Sequence, residues 1–230
     1  DVAFEIQLST THLNVIAERR YFYLREGGLL FWIFRAFDAD SRRLTHDDVF
    51  FNNNQNAFVA NKKSVDHSIS NGAFHLECIW AKPISLKESS GLQRKLVSFH
   101  ELTLDFENQQ AFYFDFEGKR KALEVAAAEQ VALLRRDFEA FWLPFVEIRQ
   151  DDAGAWRALR TKFRVLRIEV PVYPSQLPAP LLNALYSAKY GRPIGWDFHA
   201  LVEVAHLVAG AHKQHLMKFR QALAAFDRRA

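Results

Sequence analysis

The stretch Leu29-Leu30-Phe31-Trp32-Ile33-Phe34-Arg35 places six large apolar side chains in a row before its first charge. Successive strand side chains point to opposite faces, so a run without alternation is apolar on both. Such a strand belongs in the middle of a sheet covered on each side, as in parallel α/β sheets. The preceding segment agrees. From Asp1 to Leu8 the chain alternates, with Val2, Phe4, Ile6 and Leu8 on one face and Asp1, Ala3, Glu5 and Gln7 on the other. Ser9, Thr10 and Thr11 offer hydroxyl caps, and Leu13, Ile16, Ala17 and Leu24 recur at helical spacing. These signals predict a helix from about Thr11 to Glu26, stopped by Gly27 and Gly28. Strand, helix and strand with short connections make a βαβ unit, so the two strands are expected to be parallel. A strand that feeds a fully buried neighbour is also expected to be covered, not left at an exposed edge.

Further along, FDADSRRLTHDD reads as a polar loop and NNNQN (Asn52 to Asn56) as a turn-prone cluster. AFHLECIWA (73–81) is a strand candidate, and the runs at 95–106 and 111–116 predict two strands joined as a hairpin by Glu107 to Gln110. A long helix is expected from Lys119 to about Trp142 with a break near Pro144, and shorter ones over 152–163 and 179–189. VPVYPSQLPAP, with four of the seven prolines, reads as a crossing loop. Phe198 to Arg228 reads as one long helix, or two interrupted at Gly210. The expected fold class is therefore α/β, a sheet-bearing part over 1–118 followed by a largely helical part over 119–230.

Composition narrows the setting. The 230 residues are 49% hydrophobic and 25% charged, ordinary for a soluble globular protein. The 21 phenylalanines predict an aromatic-rich core. A net charge of +3 is compatible with a nucleic-acid partner without demanding one. No run approaches the roughly 18 apolar residues of a membrane span. Cys78 is the single cysteine, which excludes an internal disulfide and suits a reducing, cytoplasmic setting. Its strand-like context reads as a small buried hydrophobe.

The polar face of the opening strand carries the chemistry. Glu5 and Gln7 are two residues apart, share one face and stand about 7 Å apart along the strand. A carboxylate there is a hard oxygen ligand for Mg²⁺ or Mn²⁺, and the backbone carbonyl of Ile6 is a further one. The Gln7 amide can orient a water. Divalent metals assist phosphodiester hydrolysis by lowering the pKa of water and neutralising phosphoryl charge.

With VAFEIQLS, then ERRYFY on the following helix, then LLFWIF, residues 1–35 resemble the nuclease core of the CoiA-like competence proteins. These bacterial proteins belong to the PD-(D/E)xK nuclease superfamily. The family pattern is a strand ending in E-x-Q-x-S, a helix with Arg and then Tyr four residues on, and an apolar strand with a Trp. Here those are Glu5, Gln7 and Ser9, Arg19 and Tyr23, and Trp32. A weaker likeness runs through FNNNQNAFV and LYSAKYGRPIGW. The resemblance implies a central mixed sheet, metal-dependent cleavage of DNA, Glu5 and Gln7 as catalytic residues, and Arg19, Ser9 and Tyr23 at the substrate phosphate. It also implies a second metal ligand, an Asp on a preceding strand. Asp1 is about 13 Å from Glu5 along a regular strand and cannot be that ligand. An N-terminal remainder of the same protein is therefore expected to supply it. The alternative is a nucleic-acid-binding or protein-interaction module that keeps the nuclease fold without turnover. Outside this region, His46, Asp47 and Asp48 resemble a metal cluster but read as a cap or turn, and on the last helix with His206 the i, i+3 pair His212 and His215 could chelate a metal but lacks carboxylates and cysteines nearby. Lys62, Lys63, Lys119, Arg120 and Lys121 were weighed as DNA contacts.

Overall fold

The uninterrupted apolar run forms a strand, β2 (Leu29–Phe34), with all six side chains buried. The computed structural model describes residues 1–8, 13–38, 44–85, 88–89, 91–150 and 152–228. In it β2 lies between β1 (Val2–Gln7) and β3 (Asn56–Val59) and runs parallel to both. Two antiparallel strands, β4 (His75–Trp80) and β5 (Gln93–Ser98), complete a mixed sheet of order β1-β2-β3-β4-β5. The expected βαβ unit is present, its helix being α1 (Leu13–Arg25).

Each face of β2 has its own cover. Leu30, Trp32 and Phe34 pack with Ile16 of α1 and with Val49 and Phe50 of α2 (Leu44–Asn52). Leu29, Phe31 and Ile33 pack with Phe58, Leu76, Cys78, Val97 and Ala111. Phe31 is the centre of an aromatic group, its ring 4.7 Å from Phe58, 5.4 Å from Phe99 and 5.6 Å from Phe4. Non-parallel ring pairs at such distances add to the area they bury.

Ala111 reaches this second face from a small hairpin, β6 (Thr103–Asp105) and β7 (Gln110–Phe112). The hairpin is held by side chains that stand in for backbone. Gln109 donates to the Gly28 carbonyl at 2.6 Å, and its own carbonyl oxygen accepts from Leu30 N–H at 3.4 Å. The NNNQN cluster does the same for the chain that follows. Asn53 Oδ1 accepts from Ala111 N–H at 2.7 Å. Asn54 Oδ1 accepts from Glu117 N–H at 2.8 Å, and its amide donates to Asp115 at 3.0 Å. Asn56, fully buried, donates to the carbonyls of Asn54 and Phe114 at 2.7 and 2.8 Å. Its Oδ1 accepts from Tyr113 and Phe114 N–H, both at 3.1 Å. Asn54 and Gln55 have φ of 52° and 51°, a left-handed backbone that Asn adopts more readily than most residues. The cluster read as a turn is thus a turn whose side chains clamp the segment 111–117.

Several sequence expectations are corrected. β1 is an edge strand, paired to β2 alone among the described residues, and its apolar parity is only partly buried there: Phe4 is 49% and Ile6 63% exposed. Leu44 to Asp48, read as loop, begin α2; its His46 ring packs on Phe34 and Phe37 at 4.9 and 5.2 Å, so the pattern there is core-facing. The run at 95–106 is broken by a 3-10 turn at Phe99–Glu101, where Ser98 and Glu101 cap each other, so β5 joins the main sheet and only β6 and β7 form a hairpin. A helix, α3 (Lys62–Asn71), follows β3 with Val65 and Ile69 as its only large apolar residues; it is set by Asn61 and Ser64, whose side chains each accept the other's N–H at 3.0 Å.

The chain divides into two units, residues 1–126 and 127–230. The helix α4 (Phe116–Glu147) contains Pro144 in its last turn and continues through it, although the ring removes the N–H that would bond to the Ala140 carbonyl. Within the second unit, Leu134, Phe138 and Phe141 pack with Trp156 and Leu159 of α5 (Ala153–Val165). α6 (Ala179–Tyr190) packs through Ala184 and Ala188 with Val204 and Val208 of α7 (Leu201–Gly210) and Phe219 of α8 (Leu216–Ala225). The last region is therefore two helices joined by a 3-10 turn at Lys213–His215. The stretch GRPIGW is another clamp: Ser187 Oγ accepts from Ile194 N–H at 2.9 Å, and Asn183 donates to the Gly195 carbonyl at 3.3 Å. Gly195 has φ of +68°, and a Cβ there would fall 2.5 Å from the Asn183 amide, so no side chain fits.

Asn56→Ala leaves two carbonyls and two N–H groups without their buried partner. It is expected to cost about 3 kcal/mol in urea unfolding, whereas Asn52→Ala, at an exposed site, changes stability by less than about 0.5 kcal/mol.

Candidate functional site

The parallel register places Glu5 beside Trp32 and Gln7 beside Phe34. Trp32 and Phe34 belong to the face covered by α1 and α2, so Glu5 and Gln7 point into that layer. Gln7 is 8% exposed. Glu5 is partly covered and forms an ion pair with Arg19 of α1. The helix thus brings Arg19 to the strand motif, and its partner is Glu5 instead of its chain neighbours Glu18 or Glu26; Glu26 pairs with Arg25 at 3.3 Å.

Three further groups frame this pair. The Trp32 indole N–H is buried and has no hydrogen-bond partner among the described residues. An orphaned buried donor of this kind costs about 1–3 kcal/mol, and it stands directly beside Glu5 in the register. Arg20, the next residue of α1, is partly buried; burial lowers its pKa while the nearby charge of Asp48 raises it. Tyr23 shares the Arg19 side of the helix but packs on the α1 core layer. Ser9, assigned to the substrate phosphate, lies outside the described residues, as do the caps Thr10 and Thr11.

The backbone of β1 adds one more donor set. Leu29 N–H donates to the Asp1 carbonyl at 2.9 Å, which in a parallel pair turns the odd residues of β1 toward β2 and the even ones outward. The Ile6 carbonyl is therefore directed to the open edge. The strand offers a carboxylate, a carbonyl and an amide, all hard oxygen donors suited to Mg²⁺ or Mn²⁺. Magnesium is commonly held by one or two carboxylates with water and substrate phosphate completing its shell, and this set fits that pattern. Among the described residues no group of three or more His, Cys, Asp or Glu side chains is placed to hold a metal.

A family model, DUF6035, a domain of unknown function, matches residues 1–117, half of the chain. The chain belongs to the DUF6035 family. No curated protein and no solved structure matches it. The DUF6035 region holds Glu5, Gln7, Arg19 and Trp32, and all of the NNNQN clamp, while GRPIGW lies outside it.

Some of the other sequence candidates have packing or local partners. His46 belongs to the aromatic layer, and His212 stacks near Trp196 and His215 at 5.9 and 6.4 Å. Lys62 pairs with Asp66 at 2.7 Å and Arg120 with Glu124 at 3.8 Å. Sequence reasoning found Arg19 and Glu5 separately but not their pairing, which joins residues 14 apart through helix placement. It also passed over the Trp32 N–H, because an indole in an apolar run reads as core filler. Within the described residues no helix is long and apolar enough to cross a membrane.

Cys78 is fully buried, and loss of solvation pushes its thiol pKa up, so thiolate is scarce at neutral pH. The native protein is expected to leave Cys78 unreacted with a thiol reagent at pH 8, with stoichiometric labelling only after denaturation. The Glu5–Arg19 pair is half exposed, so Glu5→Gln should change unfolding stability by about 1 kcal/mol or less in a thermal melt.

Proposed function

We propose that β1, α1 and β2 form the working part of a nuclease that hydrolyses DNA phosphodiester bonds, of the PD-(D/E)xK kind that the CoiA-like resemblance implies. The observation that carries this reading is the polar set on one face: Glu5 with Arg19 against it, Gln7 buried beside it, and the orphaned Trp32 N–H at its flank. An apolar strand face would pack on α1 without the desolvation that the Glu5 and Arg19 charges carry.

Each residue has a task in this reading. Arg19 exchanges the Glu5 carboxylate for a phosphate oxygen, which its planar guanidinium grips with two parallel N–H bonds. The Gln7 amide orients the attacking water. Ser9 and Tyr23 flank the phosphate. Glu5 and the Ile6 carbonyl would hold Mg²⁺ or Mn²⁺. When bound, that ion lowers the pKa of water and neutralises charge on the phosphoryl group. The bond made is water oxygen to phosphorus, and the bond broken is phosphorus to the leaving sugar oxygen.

The ion pair also favours a second reading, a DNA-binding module without turnover, in which Glu5 tempers the affinity of Arg19 for phosphate. One experiment separates them. With Mg²⁺ present, the protein is expected to cleave duplex DNA, and Glu5→Ala is expected to lower the rate on the order of 100-fold or more, the scale of an essential catalytic group. Cleavage at an unchanged rate in Glu5→Ala would overturn the catalytic assignment. No cleavage by either protein, with tighter DNA binding by Glu5→Ala, selects the binding module.

A further inference from the structure

The second unit carries a segregated charge. Between Arg157 and Arg167 stand four arginines and one lysine, and no carboxylate occurs from residue 153 to 168. The chain as a whole has 27 acidic residues against 30 basic ones, so this separation is local. α5 explains the geometry. Trp156, Leu159 and Phe163 pack its apolar side on Leu134, Phe138 and Phe141. Lys162 ties it to α4 through Asp137 at 2.7 Å. Arg157, Arg160 and Arg164, at i, i+3 and i+7, fall within about 60° of one another on the helix, away from the centre of the apolar side. Arg167 follows one turn on, after the helix ends, with φ of +57°. Arg157, Arg164 and Arg167 are exposed and Arg160 is partly so. No ion pair joins any of the four to a described carboxylate, although Glu169 shares a shallow depression of about 350 Å³ with Arg160 and Arg164.

We propose that the Arg157, Arg160, Arg164 and Arg167 stripe binds the phosphate backbone of a nucleic acid. Unpaired like charges on one face repel each other and lower stability unless a polyanion meets them. Arg157 to Arg164 spans about 10 Å, the length of roughly three successive phosphates along one duplex strand. Arginine in four of five positions suits bidentate phosphate contact better than lysine would. An anionic membrane is the poorer match, because the apolar side of α5 is committed to the core and only Val165 and Ile168 remain exposed beside the arginines. The proposal stands apart from cleavage at β1 and goes beyond it.

The test uses the full chain in EDTA, so that no cleavage intervenes. Binding to a short DNA duplex and to a short RNA is followed by fluorescence anisotropy over a salt titration. The quadruple variant R157Q/R160Q/R164Q/R167Q is expected to flatten the slope of log K against log salt by about 3 to 4, near 0.9 for each lost contact on duplex. The corresponding quadruple Lys variant, which keeps the charge, should retain most of the slope and guards against misfolding as the cause. Whichever nucleic acid shows the arginine-dependent slope is the source of the phosphate. The proposal is overturned if the wild type binds neither, if the Gln variant keeps the full slope, or if the arginines govern binding to phosphatidylserine-containing vesicles but not to nucleic acid. Cleavage is read with Mg²⁺ and this slope in EDTA, so absence of cleavage overturns the nuclease reading alone and an arginine-independent slope overturns this one alone.

Discussion

β2 must be dry on both sides. Its six side chains carry no charge, and their one polar atom is the Trp32 indole nitrogen, so burial on only one face would leave three large apolar groups in water. Two layers follow from that demand: α1 and α2 over Trp32 and Phe34, and the aromatic group with the β6–β7 hairpin over Phe31. The same strand fixes the register of β1. Slipping β1 by one residue would send Phe4 and Ile6 under α1 and turn Glu5 and Gln7 to the other side, so the polar set exists only because β2 holds its neighbour in place.

Much of this was legible in the residues. The unbroken apolar run gave β2 and its burial, the Gly27-Gly28 pair gave the end of α1, and period-two alternation gave the parity of β1. What escaped depends on partners distant in the chain. That β1 stands at the edge follows from sheet order, which its own alternation does not encode. α3 escaped because its start signal is two polar side chains answering each other, with only Val65 and Ile69 as large apolar residues behind it. Glu5 and Arg19 were each visible as residue types, but their meeting depends on how α1 lies across the strand. The 3-10 turn at Phe99–Glu101 was hidden inside an alternation that continues through it.

The buried polar groups fall into two kinds. Asn53, Asn54, Asn56, Gln109, Asn183 and Ser187 spend their donors and acceptors on backbone groups that would otherwise be orphaned in the interior. They complete the fold, and a fully satisfied network of this kind fixes one arrangement of loops. The set beside β1 is different. It contains a charge pair of small stabilising worth and an indole donor without an acceptor among the described residues. The Asn side chains of FNNNQNAFV belong to the first kind; GRPIGW is clamped by Asn183 and Ser187 but also carries the Trp196 indole N–H, buried without an acceptor among the described residues.

The open edge of β1 leaves a signature in time as well as in space. Its odd amides, Ala3, Glu5 and Gln7, donate into β2, while Val2, Phe4 and Ile6 turn theirs outward. Protection from hydrogen exchange along this strand therefore alternates residue by residue, slow where the ladder holds and fast where water reaches the N–H. In β2, with a partner on each side, the slow amides run without that alternation where both ladders reach. The boundary between the two patterns runs along the strand that carries Glu5, so the polar set sits at the seam between the doubly paired β2 and an edge of the sheet.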